Sequence, residues 1–259
     1  MSTFETLQVD EDHHVMAITL NVPDKLNAIS DRMIQELHEA LDRAEQTQMR
    51  VLTITGAGRA FCAGADLSAF GKEPGDSIPF LERLQHLLVR IAEFPTPVIA
   101  AVNGTAMGGG LELILACDFA IAADNVKVGD GHTNVGAIPG GGSSVLLPGR
   151  IPRGLALYVL YSGERLTAEA LREAGLFSEL TAPEELDSRT QQIADNLAAK
   201  SPLALQHIKR LVRQGQQIDD RATAMALEIE ANQTYALSHD FAEGVSAFNE
   251  KRAPNFIGK

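Results

Sequence analysis

The chain has 259 residues, 22 of them lysine or arginine against 34 aspartate or glutamate, for a formal charge of −12, and 45% are hydrophobic. That length can bury one substantial core, and no apolar run reaches the ~18 residues that suggest a membrane helix. The acidic balance repels nucleic acid and anionic membranes at long range, so neither is an expected partner, and an anionic ligand would have to be met locally by helix N-termini, glycine-rich backbone or a few cations.

The opening MSTFETLQVDEDHHVMAITL lacks a basic start followed by an apolar stretch. Neither a signal nor a transit peptide is expected, and a cytoplasmic location is the default. FETLQV and VMAITL read as hairpin strands joined through residues 10–14, with His13 and His14 as a solvated turn. After NVPDKLNAIS, a capping Ser30 or Asp31 opens an amphipathic helix through MIQELHEALDRAEQ, and VLTIT at 51–55 reads as a buried strand. GKEPGDSIPF at 71–80, rich in glycine and proline, reads as a loop.

The alternation recurs. A helix around PFLERLQHLLVRIAEF precedes the apolar PVIAAV at 97–102, then GLELILAC leads into DFAIAA, with NVKVG as a short partner strand. Strand and helix alternating in this way argue for an α/β architecture with partly parallel pairing. Beyond about residue 153 the texture is helical, through ALYVLY, AEALREAG, RTQQIADNLAAK, LALQHIKRLVRQG and RATAMALEIEANQTYALS. Such a helical end caps the domain, packs against another subunit, or both. Cys62 and Cys117 are too few for a disulfide framework and lack metal-type spacing, so both are expected to be buried thiols, and no metal site is expected.

Two glycine-rich segments each follow an apolar strand: ITGAGRAFCAGADL at 54–67 and VNGTAMGGGLELILACD at 102–118. Glycine inside a helix costs about 1 kcal/mol relative to alanine, so Gly108, Gly109 and Gly110 are not there for helix stability; something must approach that backbone closely. Peptide N–H groups at a strand-to-helix transition have no partner within the helix, and a converging pair of them forms an oxyanion hole. Glu112 lies about one turn after Gly109, so its carboxylate can face the same space. A solvated helix-face glutamate is the plainer alternative, but the following LILAC implies a largely buried helix. A third segment, VGDGHTNVGAIPGGGSS at 128–144, reads as a loop entering a helix, suited to an anionic or carbonyl ligand, with His132 near Asp130 and Asn134. No phosphate-loop, dinucleotide or nucleophile-elbow signature occurs.

These stretches, together with NVPDKLNAIS at 21–30, GAIPGGG at 136–142 and EGVSAFNEKRAPNF at 243–256, resemble the crotonase, or enoyl-CoA hydratase/isomerase, superfamily over essentially the whole chain. The resemblance implies a crotonase-like spiral of ββα units over residues 1–198, with a C-terminal helical trimerisation region over 199–259, assembled as a homo-trimer or a dimer of trimers. It implies an acyl-CoA substrate, with coenzyme A as part of that substrate and no separate cofactor. The backbone N–H groups of Ala65 and Gly109 would hold the thioester oxygen. Lys25, Ala63, Asp66, Leu67, Gly108, Pro139 and Gly140 would line the CoA and substrate path, with Arg59, Lys251, Arg252 and Lys259 as further local positive charge. The 71–80 loop would then lie over the acyl pocket.

The family's hydratases use two glutamates, one at the position of Glu112 and one six residues before the isoleucine of IPG. Counting back from Ile138 reaches His132, a departure from that pattern. The expectation is an enoyl-CoA hydratase-type lyase, acting on a branched or functionalised acyl group, in which Glu112 and His132 share the proton transfers in either order and Asp130 is a candidate orienting partner. The alternatives are an enoyl-CoA isomerase using one carboxylate, an acyl-CoA hydrolase with His132 as base, and a non-catalytic CoA-binding protein, which the retained glycine segments and Glu112 disfavour.

Overall fold

Two sheets share the strands, and the chain passes repeatedly from one sheet to the other and then into a helix. The computed structural model describes residues 4–70, 73 and 75–259, with only the backbone of Ala69 described. The first strand, β1 (Leu7–Asp12), pairs antiparallel with β2 (Val15–Leu20), and its exposed, acidic alternate positions suit the edge of a sheet. The turn between them is tighter than the sequence suggests. It consists of His13 and His14 alone, both with positive φ (44° and 68°), a conformation in which histidine is enriched among non-glycine residues.

Next come α1 (Asp31–Gln46), β3 (Val51–Gly56), β4 (Ala60–Cys62), α2 (Ile78–Glu93), β5 (Val98–Val102), β6 (Thr105–Met107), α3 (Gly109–Ala116), β7 (Phe119–Ala123) and β8 (Lys127–Gly129). In α1, Met33, Leu37, Ala40, Leu41 and Ala44 form the buried stripe, and the Ser30 hydroxyl caps the helix by accepting from the Met33 N–H. β5 is buried at every position, as a strand covered on both faces must be. α2 claims residues 78–80, so the loop expected at 71–80 ends earlier; Gly71, Lys72 and Pro74 lie outside the described residues.

The remaining elements are α4 (Ser143–Arg150), α5 (Arg153–Ser162), β9 (Arg165–Thr167), α6 (Ala168–Glu173), β10 (Phe177–Thr181), α7 (Leu186–Ala198), α8 (Pro202–Gly215), α9 (Arg221–Tyr235) and α10 (His239–Glu250). The last third is therefore not purely helical. β10 adds in parallel to β7, completing a six-stranded sheet ordered β1-β2-β3-β5-β7-β10, and β9 completes a four-stranded sheet ordered β4-β6-β8-β9. Pairing with an existing sheet outweighs the local helical texture there. The result is an α/β architecture of two mixed sheets with C-terminal helices, in keeping with what the resemblance implies. Lys209 of α8 reaches back to the core, donating to the Thr96 carbonyl (3.2 Å) and to Asp118 (2.7 Å).

All eight residues of α3 are buried. A helix enclosed on every side has no solvent face for a charge, and Glu112 is its one ionisable residue. The Gly110 position lets this helix lie on β4, because a Cβ there would sit 2.1 Å from the Cys62 carbonyl oxygen. Cys62 and Cys117 are buried free thiols, as expected, and burial pushes both up to about 12.

Candidate active site

The two glycine-rich segments meet at their first turns. After β4 the chain reverses at Gly64, whose φ of +101° disfavours an L side chain and whose Cβ would in any case press on the Met107 carbonyl oxygen at 2.9 Å and the Gly109 nitrogen at 3.3 Å. The adjoining segment is fixed by Ile29, whose N–H donates to the Gly64 carbonyl and whose carbonyl accepts from the Asp66 N–H, both at 2.8 Å. These two bonds use the groups on either side of Ala65 and leave its own N–H aimed elsewhere. A Cβ on Gly109 would lie 3.3 Å from the Ala65 nitrogen, so the two amides are neighbours. Neither N–H has an acceptor among the described residues. Buried Asn27 steadies the loop, donating to the carbonyls of Ala57 (2.9 Å) and Ala60 (2.8 Å).

Glu112 follows one turn later and is 1% exposed. Its Oε1 accepts from the Gly141 N–H at 2.7 Å and the Ser143 N–H at 3.3 Å, at the start of α4. Burial raises its pKa; the charge of His132 and the two backbone donors oppose that rise without cancelling it. Gly141 has no room for a side chain, since a Cβ would come within 2.5 Å of Glu112 Oε2 and 2.6 Å of Leu88 Cδ1. The PGGGSS segment thus holds the carboxylate, a job the sequence reading gave instead to an incoming ligand.

His132 begins a short 3-10 turn, His132–Val135, just beyond β8. Its Nδ1 is 2.8 Å from Asp130 Oδ1, and its Nε2 would be 3.7 Å from a Cβ on Gly108. Gly108 has a φ of +50°, and the ring lies over the surface it leaves bare. Burial alone would lower the imidazole pKa, but the hydrogen bond and charge of Asp130, joined by the charge of Glu112, outweigh it and the net shift is upward.

The structure therefore brings Ala65, Gly108, Gly109, Glu112 and His132 together. Gly140 lies beside them against Leu81 of α2, where a Cβ would stand 3.0 Å from Leu81 Cδ2, and Pro139 precedes it half-buried. Ala63 and Asp66 flank the Ala65 segment. Lys25 donates to Asp66 Oδ2 at 2.9 Å with its side chain 61% exposed, while Leu67 is exposed at the rim. The hydrogen bonds from Ser68 and Lys25 hold the Asp66 carboxyl below the usual range. Arg59, Lys251, Arg252 and Lys259 are exposed, and Arg252 is engaged by Glu243 and Glu250. A cavity of about 570 Å³ between the end of α2 and α8 includes none of the converging residues. Sequence reasoning placed Gly141 and Ser143 in a ligand loop rather than as donors to Glu112, and it missed Leu81 and Leu88, to which no sequence signal pointed.

Among the described residues no cluster of three or more His, Cys, Asp or Glu side chains could hold a metal ion, and no helix is long and apolar enough to cross a membrane. The family described as Enoyl-CoA hydratase/isomerase matches residues 10–259. Two Escherichia coli proteins are similar throughout. The 1,2-epoxyphenylacetyl-CoA isomerase is 38% identical over 95% of each chain. The 2,3-dehydroadipyl-CoA hydratase is 35% identical over 98% of this chain and 99% of its own. The crystal structure of an enoyl-CoA hydratase from Bacillus anthracis superposes with a TM-score of 0.94 at 35% identity, covering 98% of this chain and 100% of the other.

Proposed function

Because the chain belongs to the enoyl-CoA hydratase/isomerase family, whose substrates are acyl-CoA thioesters, we propose that it adds water reversibly across the 2,3-double bond of an acyl-CoA. The observation that carries this reading is the pairing of two proton-transfer groups, Glu112 and His132, within electrostatic reach of each other beside two unpartnered backbone donors. Hydration asks for both: one group to take a proton from water as its oxygen bonds to Cβ, another to give a proton to Cα.

The thioester oxygen lies between the N–H groups of Ala65 and Gly109, which stabilise the enolate formed as the Cβ–O bond forms. Ionised Glu112 takes the water proton. Protonated His132 then delivers its Nε2 proton to Cα, and the active site returns to its starting state when Glu112 releases its proton and His132 regains one from solvent. The His132 shift supports this order: burial alone would disfavour the charged ring, but the hydrogen bond and charge of Asp130, joined by the charge of Glu112, outweigh it and favour the protonated imidazole that donates. Lys25 and Asp66 with Ala63, Leu67, Gly108, Pro139 and Gly140 line the CoA and acyl path in this reading. The exposed apolar side chains Ile208, Val212, Met225, Ile229, Leu237 and Phe248 on and between α8–α10 support residues 199–259 as the surface of a homo-trimer or a dimer of trimers, which sedimentation would test.

Product analysis with straight, branched and carboxylated 2-enoyl-CoAs tests the reaction. Formation of 3-hydroxyacyl-CoA that Glu112→Gln and His132→Ala each abolish supports the pair. The family, which includes isomerases as well as hydratases, leaves room for a second reading, in which Glu112 alone moves a proton between Cα and Cγ. Conversion of a 3-enoyl-CoA to its 2-enoyl isomer by the His132→Ala variant, with no hydration by wild type, would select it. Release of free CoA would instead identify a hydrolase.

A further inference from the structure

We propose that Asp130 is a positioning residue that fixes His132 as the Nδ1–H tautomer and so makes Nε2 the only ring atom that exchanges protons at the site. Asp130 follows the end of β8, where Gly129 is locked in register with Met107 on one side and Arg165 on the other. Its own backbone carbonyl lies 3.3 Å from where a Cβ on Gly108 would stand. The carboxylate is 1% exposed, and its Oδ1 accepts from the His132 backbone N–H at 3.3 Å as well as facing Nδ1 at 2.8 Å.

An ionised carboxylate can only accept, so the Nδ1 contact requires a proton on Nδ1 in either charge state of the ring. Neutral His132 then presents a lone pair at Nε2, and charged His132 presents a proton there. Nε2 makes no hydrogen bond among the described residues and lies over the bare surface of Gly108.

The second carboxylate oxygen separates this arrangement from ordinary structural pairing. Asp130 Oδ2 is buried and has no hydrogen-bond partner among the described residues, and a half-satisfied buried carboxylate is unfavourable for stability. Among the described residues no lysine or arginine compensates it; the charged groups facing the ring are Asp130 from its own loop and Glu112 from α3. The group that offsets the Asp130 charge is therefore the imidazolium of His132. The geometry of the dyad stands without the proposed reaction; its role in delivering a proton to Cα rests on the hydratase reading.

The test has a substrate-free arm and a kinetic arm. Nitrogen-15 shifts of the His132 ring, assigned by their loss in His132→Gln, are followed against pH in wild type and Asp130→Asn. The expected result is an Nδ1–H neutral tautomer in wild type, and in Asp130→Asn a shift toward Nε2–H with a titration midpoint lower by about 1–3 pH units, the size expected for losing a carboxylate neighbour. In kinetics, kcat of Asp130→Asn falls by about 10²-fold, toward the low end of what proton transfer contributes, while KM changes little and the alkaline limb moves down. Asp130→Glu retains that limb. An unchanged tautomer and midpoint in a folded Asp130→Asn would overturn the proposal, as would a lost rate with an unmoved pH profile. If wild type hydrates no substrate, the proposed reaction fails while the ring shifts still decide the dyad.

Discussion

Gly141→Ala should uncouple activity from folding. Gly141 does not have a positive φ, so an alanine there meets no backbone penalty; the conflict is entirely with what surrounds it. The new methyl would sit 2.5 Å from Glu112 Oε2, 2.6 Å from Leu88 Cδ1 and 2.8 Å from Glu112 Cδ. Ordinary carbon contacts are about 3.5–4.0 Å, so the carboxylate and the leucine tip must together retreat by about 1 Å. Both are side-chain ends and can do so, with an overpacking penalty of about 1–3 kcal/mol. The carboxylate, however, is held at 2.7 Å by the N–H of this same residue, and its displacement breaks that alignment. A misplacement of about 1 Å can lower a rate by about 10²-fold. The assay is kcat on the acyl-CoA that wild type turns over fastest, alongside a thermal melt. A folded Gly141→Ala with a wild-type kcat would refute the reasoning, because it would mean that the position of Glu112 does not matter.

Three further perturbations probe the rest. Gly110→Ala places a Cβ 2.1 Å from the Cys62 carbonyl, a backbone atom that cannot swing aside, so the fold rather than the site should lose, by about 3 kcal/mol or more; differential scanning calorimetry should show the melt lowered well below that of Gly141→Ala. Glu112→Gln should stabilise the chain at neutral pH. The folded pKa of Glu112 is raised, so its contribution is most favourable below the unfolded carboxyl pKa and is lost as pH rises through the folded one. The gain in Tm over wild type should therefore be present at pH 7 and vanish below about pH 4. Lys25→Ala removes an ion pair whose lysine is 61% exposed, and such pairs contribute about 0–1 kcal/mol. Its Tm should barely move, whereas KM for the acyl-CoA should rise with kcat unchanged, a pattern that steady-state kinetics separates from a catalytic loss.

Periodicity and glycine placement made much of the frame legible. α1 announced itself by its stripe and Ser30, β5 by an unbroken apolar run, and buried α3 by LILAC directly after a lone glutamate. β4, β6 and β9 span only three residues each, too short for any period to declare itself, and β10 exists because β7 offers it an edge. The three consecutive glycines show the limit within the site. One meaning was read into all of them, yet Gly108 bares a surface to His132, Gly109 sets an amide beside Ala65, and Gly110 admits the backbone of β4. Pattern records that a side chain is missing; only the neighbours say what took its place. Likewise Ala65 and Gly109 became a specific pair only through the family resemblance, since they are distant in sequence and no local rule joins them.

The central claim is that Glu112 and His132 together add the elements of water to an acyl-CoA double bond. The direct measurement is mass spectrometry of the products formed in ¹⁸O water from 2-enoyl-CoAs by wild type, Glu112→Gln and His132→Ala. The account predicts ¹⁸O in a 3-hydroxyacyl-CoA from wild type and its loss in both variants. Wild type that leaves the acyl group without ¹⁸O at C3 across the panel, or a His132→Ala variant that incorporates the label at the wild-type rate, would contradict it.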